Sequence, residues 1–341
     1  MAIPHLAKIP TIDVGEDEED LISNECKELI HSCPKEKGWR TSFLYKFQGF
    51  WCQSKEIQAI ISFQKHFRAK SSDVILATIP KSGTTWIKAL TFAIMNRKSF
   101  PISNENHPLL ASNPHDLVPF LEYKLYANNR NPDLSNILEP RIFGTHVPYG
   151  SLRESIKSSD CRVVYVCRNP FDTFISSWHY CIKLRLESQP PLPLEEAFDM
   201  YCKGVIGFGP FWEHMLGYWK ESLARPNNVL FMKYEDMKED AISHLKKLAN
   251  FLGVPFSIEE EKAGLVEEIM KLCSFGNLKD LEVNKSGKSI KDFDNKYLFR
   301  KGEIGDWVNY LSPSMVEKLS KIMEDKFGDS GLKFKVLSSV S

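Results

Sequence analysis

No CxxC pair, no HExxH string, no GxSxG elbow and no GxxxxGK[ST] loop occurs in the 341 residues. Their absence excludes the common zinc frameworks, the metalloprotease and serine-hydrolase signatures and the nucleotide-triphosphate loop. The eight cysteines are scattered, so they read as reduced core residues rather than a disulfide framework. No apolar run approaches the roughly 18–20 residues of a membrane-spanning helix. The opening residues, MAIPHLAKIPTIDVGEDEED, carry no apolar signal core and are acidic rather than Arg-rich. Charge of one sign is also lacking: Lys+Arg and Asp+Glu are both 44. That argues against nucleic acid as a partner, though a local basic pocket remains open. These absences together describe a cytoplasmic protein that neither spans a membrane nor binds a metal.

What is present is alternation. Apolar runs at Asp73–Thr78, Arg141–Val147, Arg162–Cys167 and Val229–Lys233 read as strands. Helical patterns at Ser54–Phe67, Thr84–Asn96, Phe171–Leu186, Ala241–Leu252 and Pro313–Phe327 stand beside and between them. The expected fold is α/β: a single domain with a central parallel sheet flanked by helices. Residues 1–50 are expected to form a partly ordered N-terminal arm, with the acidic run Glu16–Asp20 solvated, and residues 51–341 the catalytic domain. The polar stretch Lys285–Lys296 reads as mobile.

Three stretches carry chemistry. In ILATIPKSGTTWIKAL, Ile75–Leu90, a strand breaks at Pro80 and a helix resumes after Lys-Ser-Gly-Thr-Thr. A turn opening a helix offers unpaired N–H groups and the positive end of the helix dipole. Gly83 lets the backbone come close, Lys81 adds a charge, and Ser82, Thr84 and Thr85 add hydroxyls. This is an oxyanion cradle, and Lys81 lies before the glycine rather than after it. In CRNPFDTFISSW, Arg168 ends a buried strand, where open α/β sheets bind ligands, and Ser176 follows in the helix. In FRKG, Phe299–Gly302, two cations precede a glycine, as in a flap that closes over an anion.

In this order the three stretches resemble the soluble sulfotransferases, in particular their plant branch. GTHVPYGSL, GPFWEHMLGYWK, FMKYEDMK and KLCSFGNLKDLEVNKSG extend the resemblance from about Phe63 to Phe327. It implies transfer of a sulfuryl group from 3′-phosphoadenosine 5′-phosphosulfate (3′-phosphoadenylyl sulfate, PAPS) to an acceptor hydroxyl, leaving adenosine 3′,5′-bisphosphate (PAP), with no metal. It implies that Lys81, Ser82, Gly83, Thr84 and Thr85 surround the 5′-phosphosulfate and that Trp86 stacks on adenine. Arg168 and Ser176 then hold the 3′-phosphate with Arg300, Lys301 and Gly302, while Tyr234, Cys273, Ser274 and Phe275 line the adenosine pocket and Phe299 also contacts the nucleotide. His146, one of nine histidines, becomes the catalytic base and Lys81 the group on the departing phosphate. His179 is its rival, in a helix without a matching motif.

Two positions depart from the family pattern. Gly144 stands where animal relatives carry lysine, and Ile79 where an aromatic is usual. The animal dimerisation string is missing, which implies a monomer. Phe120 and Tyr180 are expected to wall an apolar acceptor pocket, with Trp51, Tyr149 and Phe208 behind them. Such walls suit a flavonoid, phenolic, steroid or hormone-like acceptor. The alternatives are a nucleotide-binding protein of the same fold without transfer activity, and a nucleoside kinase, which would need a Mg²⁺ carboxylate and a true triphosphate loop.

Overall fold

The four apolar runs become four strands of one parallel sheet in a computed structural model that describes residues 22–185, 190–290 and 293–335. The chain begins with helix α1 (Asn24–Ser32) and an antiparallel sheet of β1 (Lys35–Lys37), β2 (Phe43–Phe47) and β3 (Phe50–Cys52). Helix α2 (Ser54–His66), strand β4 (Val74–Thr78), helix α3 (Thr84–Asn96) and strand β5 (Ile142–Thr145) follow. Then come β6 (Arg162–Cys167), α4 (Pro170–Lys183), α5 (Phe211–Ala224), β7 (Val229–Lys233), α6 (Ala241–Phe251) and α7 (Pro313–Phe327). The parallel order is β5-β4-β6-β7.

Alternation along the strands feeds two cores. Ile75, Ala77, Phe143, Val163 and Tyr165 enter one layer; Val74, Leu76, Ile142, Val164 and Val166 enter the other. A sheet covered on both faces needs apolar residues at every position, which is why these runs do not alternate with polar ones. The register pairs Ala77 with Thr145, Thr78 with Val166 and Cys167 with Lys233. The carboxyl ends of all four strands therefore lie on one edge. Lys81, His146, Arg168 and Tyr234 follow them within three residues.

The outer parts differ from expectation. The stretch read as an N-terminal arm includes α1, capped by Ser23, which buries Cys26 and Ile30 against the main core. Two buried positions in nine are too thin a periodic signal to read. Trp39 and Leu44 join the same core. The stretch read as mobile, Lys285–Lys296, takes in the end of a helical turn, Glu282–Ser286, and a strand pair, Lys288–Ile290 with Phe293–Asp294. Its polarity is spent on internal hydrogen bonds. Asn295 donates to Val283 O at 2.9 Å and accepts from Ser289 N, and Ser289 Oγ reaches Asp116 at 2.7 Å. The acidic run Glu16–Asp20 and the expected helix end at Leu186 lie outside the described residues. All eight cysteines are free thiols.

Candidate active site

The edge where the strands end opens into a cavity of about 380 Å³. Of the residues expected to hold the nucleotide, all but Ser82 line it, and so do His146, Phe120 and Tyr180. The Lys81–Thr85 turn forms its floor. Lys81 itself has φ 70°, a left-handed backbone that costs a non-glycine residue about 1 kcal/mol or more. Gly83 has φ 99°, and a Cβ there would come within 2.7 Å of the Tyr234 ring. The turn thus depends on glycine for both conformation and closeness. Buried donors without a partner gather here: Ser82 Oγ, Arg168 Nε, Ser177 Oγ and Arg300 Nε. Buried polar groups are rarely left unmatched, so these atoms and the helix N–H groups fit an anion that the chain alone does not supply.

Lys81 is placed for charge. Its Nζ lies 4.0 Å over the Tyr180 ring, and its pKa is lowered to about 7. Burial is the main cause; the Cys181 thiol opposes it, and the Arg168 and Arg300 cations add to it. An arriving phosphate reverses that balance and restores the proton. Nucleotide binding is therefore expected to take up protons at pH 8 and to take up far fewer at pH 6. Calorimetry in buffers of differing ionisation enthalpy measures this, and Lys81→Met should abolish the difference.

Arg168 stands at the start of α4, whose N-cap Asn169 accepts from Phe171 N at 2.9 Å. Its guanidinium donates to Glu303 O, lies 3.7 Å from Asp172, and stacks 4.8 Å from the Tyr234 ring. Tyr234 in turn donates to Gly302 O at 2.9 Å and meets Trp86 edge-on. Asp172 accepts from Gly305 N at 2.8 Å and from Trp307 N. In the basic flap, Arg300 and Lys301 both donate to Asp306 at 2.5 Å. Burial opposes the Asp306 charge, but those hydrogen bonds outweigh it and hold its pKa down to about 2. Arg300 keeps a buried Nε without a partner beside the cavity.

His146 lies just past β5. Its Nδ1 is 2.7 Å from Thr78 O, a pure acceptor, so Nδ1 carries the proton and Nε2 the lone pair. Burial pushes its pKa down to about 3, the hydrogen bond to Thr78 opposes this, and the Lys88, His214 and Lys81 charges reinforce it. The ring is neutral at working pH. Its backbone is clamped: Glu122 accepts from His146 N at 2.6 Å, and His214 Nε2 donates to His146 O at 2.8 Å. Phe120, Phe208 and Tyr123 surround the imidazole, with ring centroids 4.7, 5.6 and 5.8 Å away. His179 does not line the cavity; it packs on Tyr310. Trp51 and Tyr149 are also core residues away from the cavity, held by packing and, for Tyr149, by an edge-on contact with Tyr218.

The sequence reading missed several residues. His115 and Tyr123 line the cavity near His146, and Trp39, Arg40, Gln53 and Glu56 close its far end. Tyr123 donates to Glu56 at 2.8 Å, and Arg40 donates to Gln53 at 2.7 Å. None of them lies in a stretch read as functional. The aromatic run FQGFWCQ, Phe47–Gln53, was the available signal for the far end. Among the described residues, no three metal-ligating side chains come together. Likewise no described helix is long and apolar enough to cross a membrane.

The sulfotransferase domain family matches residues 71–331. Cytosolic sulfotransferase 15 of Arabidopsis thaliana is 64% identical over 329 residues, which cover 96% of this chain and 92% of that protein. A solved Arabidopsis thaliana sulphotransferase is 43% identical, with TM-score 0.75, covering 95% of this chain and all of that one. Mouse sulfotransferase SULT7A1, solved in complex with PAP, is 25% identical, with TM-score 0.63 over 84% of this chain and 95% of its own. The histidine on the edge of the parallel sheet and the anion turn beside it thus belong to a chain that is a member of the plant-type cytosolic sulfotransferase family.

Proposed function

We propose that this sulfotransferase takes its sulfuryl group from PAPS in the cavity at the strand ends and passes it to a hydroxyl of a small apolar metabolite, with His146 as general base. The observation that carries the reading is the pairing of an Nε2 lone pair on His146 with the anion turn of Lys81–Thr85 in one cavity. When bound, PAPS supplies an activated sulfur whose bond to the 5′-phosphate oxygen breaks as the acceptor oxygen bonds to it. His146 Nε2 removes the acceptor proton as that bond forms. Lys81, protonated next to an anion, stabilises charge on the departing phosphate oxygen, joined by the helix N–H groups. Ser82, Gly83, Thr84 and Thr85 form the P-loop-like cradle for the 5′-phosphosulfate.

Trp86 and Tyr234 face adenine; Cys273, Ser274, Phe275 and Phe299 complete its pocket. Arg168 and Ser176 hold the 3′-phosphate, assisted by Arg300, Lys301 and Gly302. Their cations already pair with Asp306, so they act as a prebuilt anion rim. Phe120, Tyr180 and Tyr123 wall the acceptor. Residues 51–341 form the sulfotransferase domain, and residues 1–50 an N-terminal arm whose Trp39 and Arg40 line the cavity. No metal takes part: a sulfuryl group carries less charge than a γ-phosphoryl group, and the cations of the cavity suffice. The protein acts as a cytoplasmic monomer on a phenolic, flavonoid, steroid or hormone-like hydroxyl.

An acceptor screen with sulfur-labelled PAPS, read by mass, tests the activity. Arg168→Ala tests the nucleotide orientation. A lost charge-assisted hydrogen bond is expected to weaken PAP binding about 10–100-fold, with a smaller change in the chemical step. Unchanged affinity by calorimetry would remove Arg168 from the 3′-phosphate site.

A further inference from the structure

Lys88 has no part in the transfer described above, yet it is wholly buried on α3. Its Nζ lies 3.0 Å from His115 Nδ1 and 3.2 Å from the centroid of the Phe120 ring. A Cβ at Gly144 would come 2.5 Å from Lys88 Cε, so the lysine fills the space that this glycine leaves. The position that lacks a side chain on β5 therefore receives an amine from α3. Burial pushes the Lys88 amine well below the usual lysine range; the Glu122 and Asp116 carboxylates oppose that shift, and the Lys124 cation adds to it.

His115 continues the chain of contacts. It lines the cavity, stacks on Phe120 at 5.1 Å, and places Nε2 3.1 Å from Thr85 Oγ1. Lys88 Nζ carries N–H groups whether charged or neutral, and donating one of them across the 3.0 Å contact makes His115 Nδ1 the acceptor. A neutral imidazole has one N–H, which must stand on Nε2, and Nε2 donates to Thr85 Oγ1. The single Thr85 proton is left to point into the cavity. The opposite tautomer would draw that proton toward His115 and turn the hydroxyl lone pairs on any anion bound there.

We propose that Lys88, acting through His115, is a positioning residue that turns the Thr85 hydroxyl into a hydrogen-bond donor to the phosphosulfate. This rests on the assignment of the Lys81–Thr85 turn as the donor site. It also gives Gly144 a role, as the gap that admits the lysine.

The test uses the full chain with nitrogen-labelled histidine. Long-range proton–nitrogen correlations report the tautomer of His115, assigned by loss of its signals in His115→Gln. The parent is expected to show Nε2–H, and Lys88→Met a mixture of tautomers. Nδ1–H in the parent overturns the proposal. In parallel, Lys88→Met is expected to weaken PAPS binding and kcat/KM about tenfold, the usual scale of one charge-assisted hydrogen bond. On a Thr85→Val background the same change should cost less than about twofold, because the two residues act on one contact. His115→Gln, whose amide N–H₂ can donate to Thr85 without Lys88, should keep kcat/KM within about threefold of the parent, whereas His115→Phe should lose about tenfold. Equal losses from Lys88→Met on both backgrounds would mark a purely structural lysine and overturn the proposal. A parent with Nε2–H on His115 that binds neither PAPS nor PAP would overturn it together with the donor-site assignment; a parent that transfers sulfate normally with a tenfold-insensitive Lys88→Met would overturn the relay alone.

Discussion

Replacing His146 by asparagine is expected to lower turnover by about 10²–10⁴-fold, the contribution of a positioned general base. PAP affinity should stay within about threefold, because the nucleotide contacts come from other residues. The substitution suits the local geometry. An asparagine amide can still donate toward Thr78 O, which now accepts from Nδ1 at 2.7 Å. The backbone clamps from Glu122 and His214 do not involve the side chain. What disappears is the lone pair on Nε2. The loss should be smaller for acidic phenols, already partly ionised, than for aliphatic alcohols. Turnover by mass and affinity by calorimetry on the same preparation measure both. Near-parental turnover on an aliphatic alcohol would exclude His146 as the base.

Lys81→Met should cost about 10²–10³-fold in turnover, the scale of losing one preorganised donor at an oxyanion. Methionine keeps the length and can pack over Tyr180, where the ammonium now sits 4.0 Å from the ring centroid. The fold should therefore persist, and a melting temperature close to the parent's would establish that. The charge also governs pH dependence. With its pKa at about 7 in the free protein, Lys81 is protonated below that value and neutral above it. The protonated form is the one an anion binds. Affinity for PAP should thus fall as pH rises from 7 to 9 in the parent and stay nearly flat in Lys81→Met. A parent affinity that does not change over that range would contradict the placement of Lys81 against the phosphates.

The parallel sheet was legible because burial on both faces leaves an unmistakable record. VILAT, RVVYVC and VLFMK are close to wholly apolar, and each strand was located to within a residue. The anion turn was legible for a different reason: lysine, glycine and three hydroxyls between a strand and a helix have few other uses. Long-range pairing was not legible. His115, Lys88 and Thr85 meet through contacts between a loop and a helix 27 residues away. Tyr123 and Glu56 meet across 67 residues. Periodicity and local motifs hold no trace of such partners. The hydrogen bonds of the polar stretch Lys285–Lys296 were hidden for the same reason, since they run inward to Val283 O and to Asp116.

The most direct measurement follows the sulfur. Parent protein is mixed with sulfur-labelled PAPS and a panel of phenols, steroids and aliphatic alcohols, in a strong chelator, and the products are weighed by mass spectrometry after a single turnover. The account predicts a labelled sulfate ester on at least one hydroxyl, with PAP released in equal amount and no effect of the chelator. PAPS that binds and is recovered intact with every acceptor, or transfer that appears only when Mg²⁺ is restored, would contradict it.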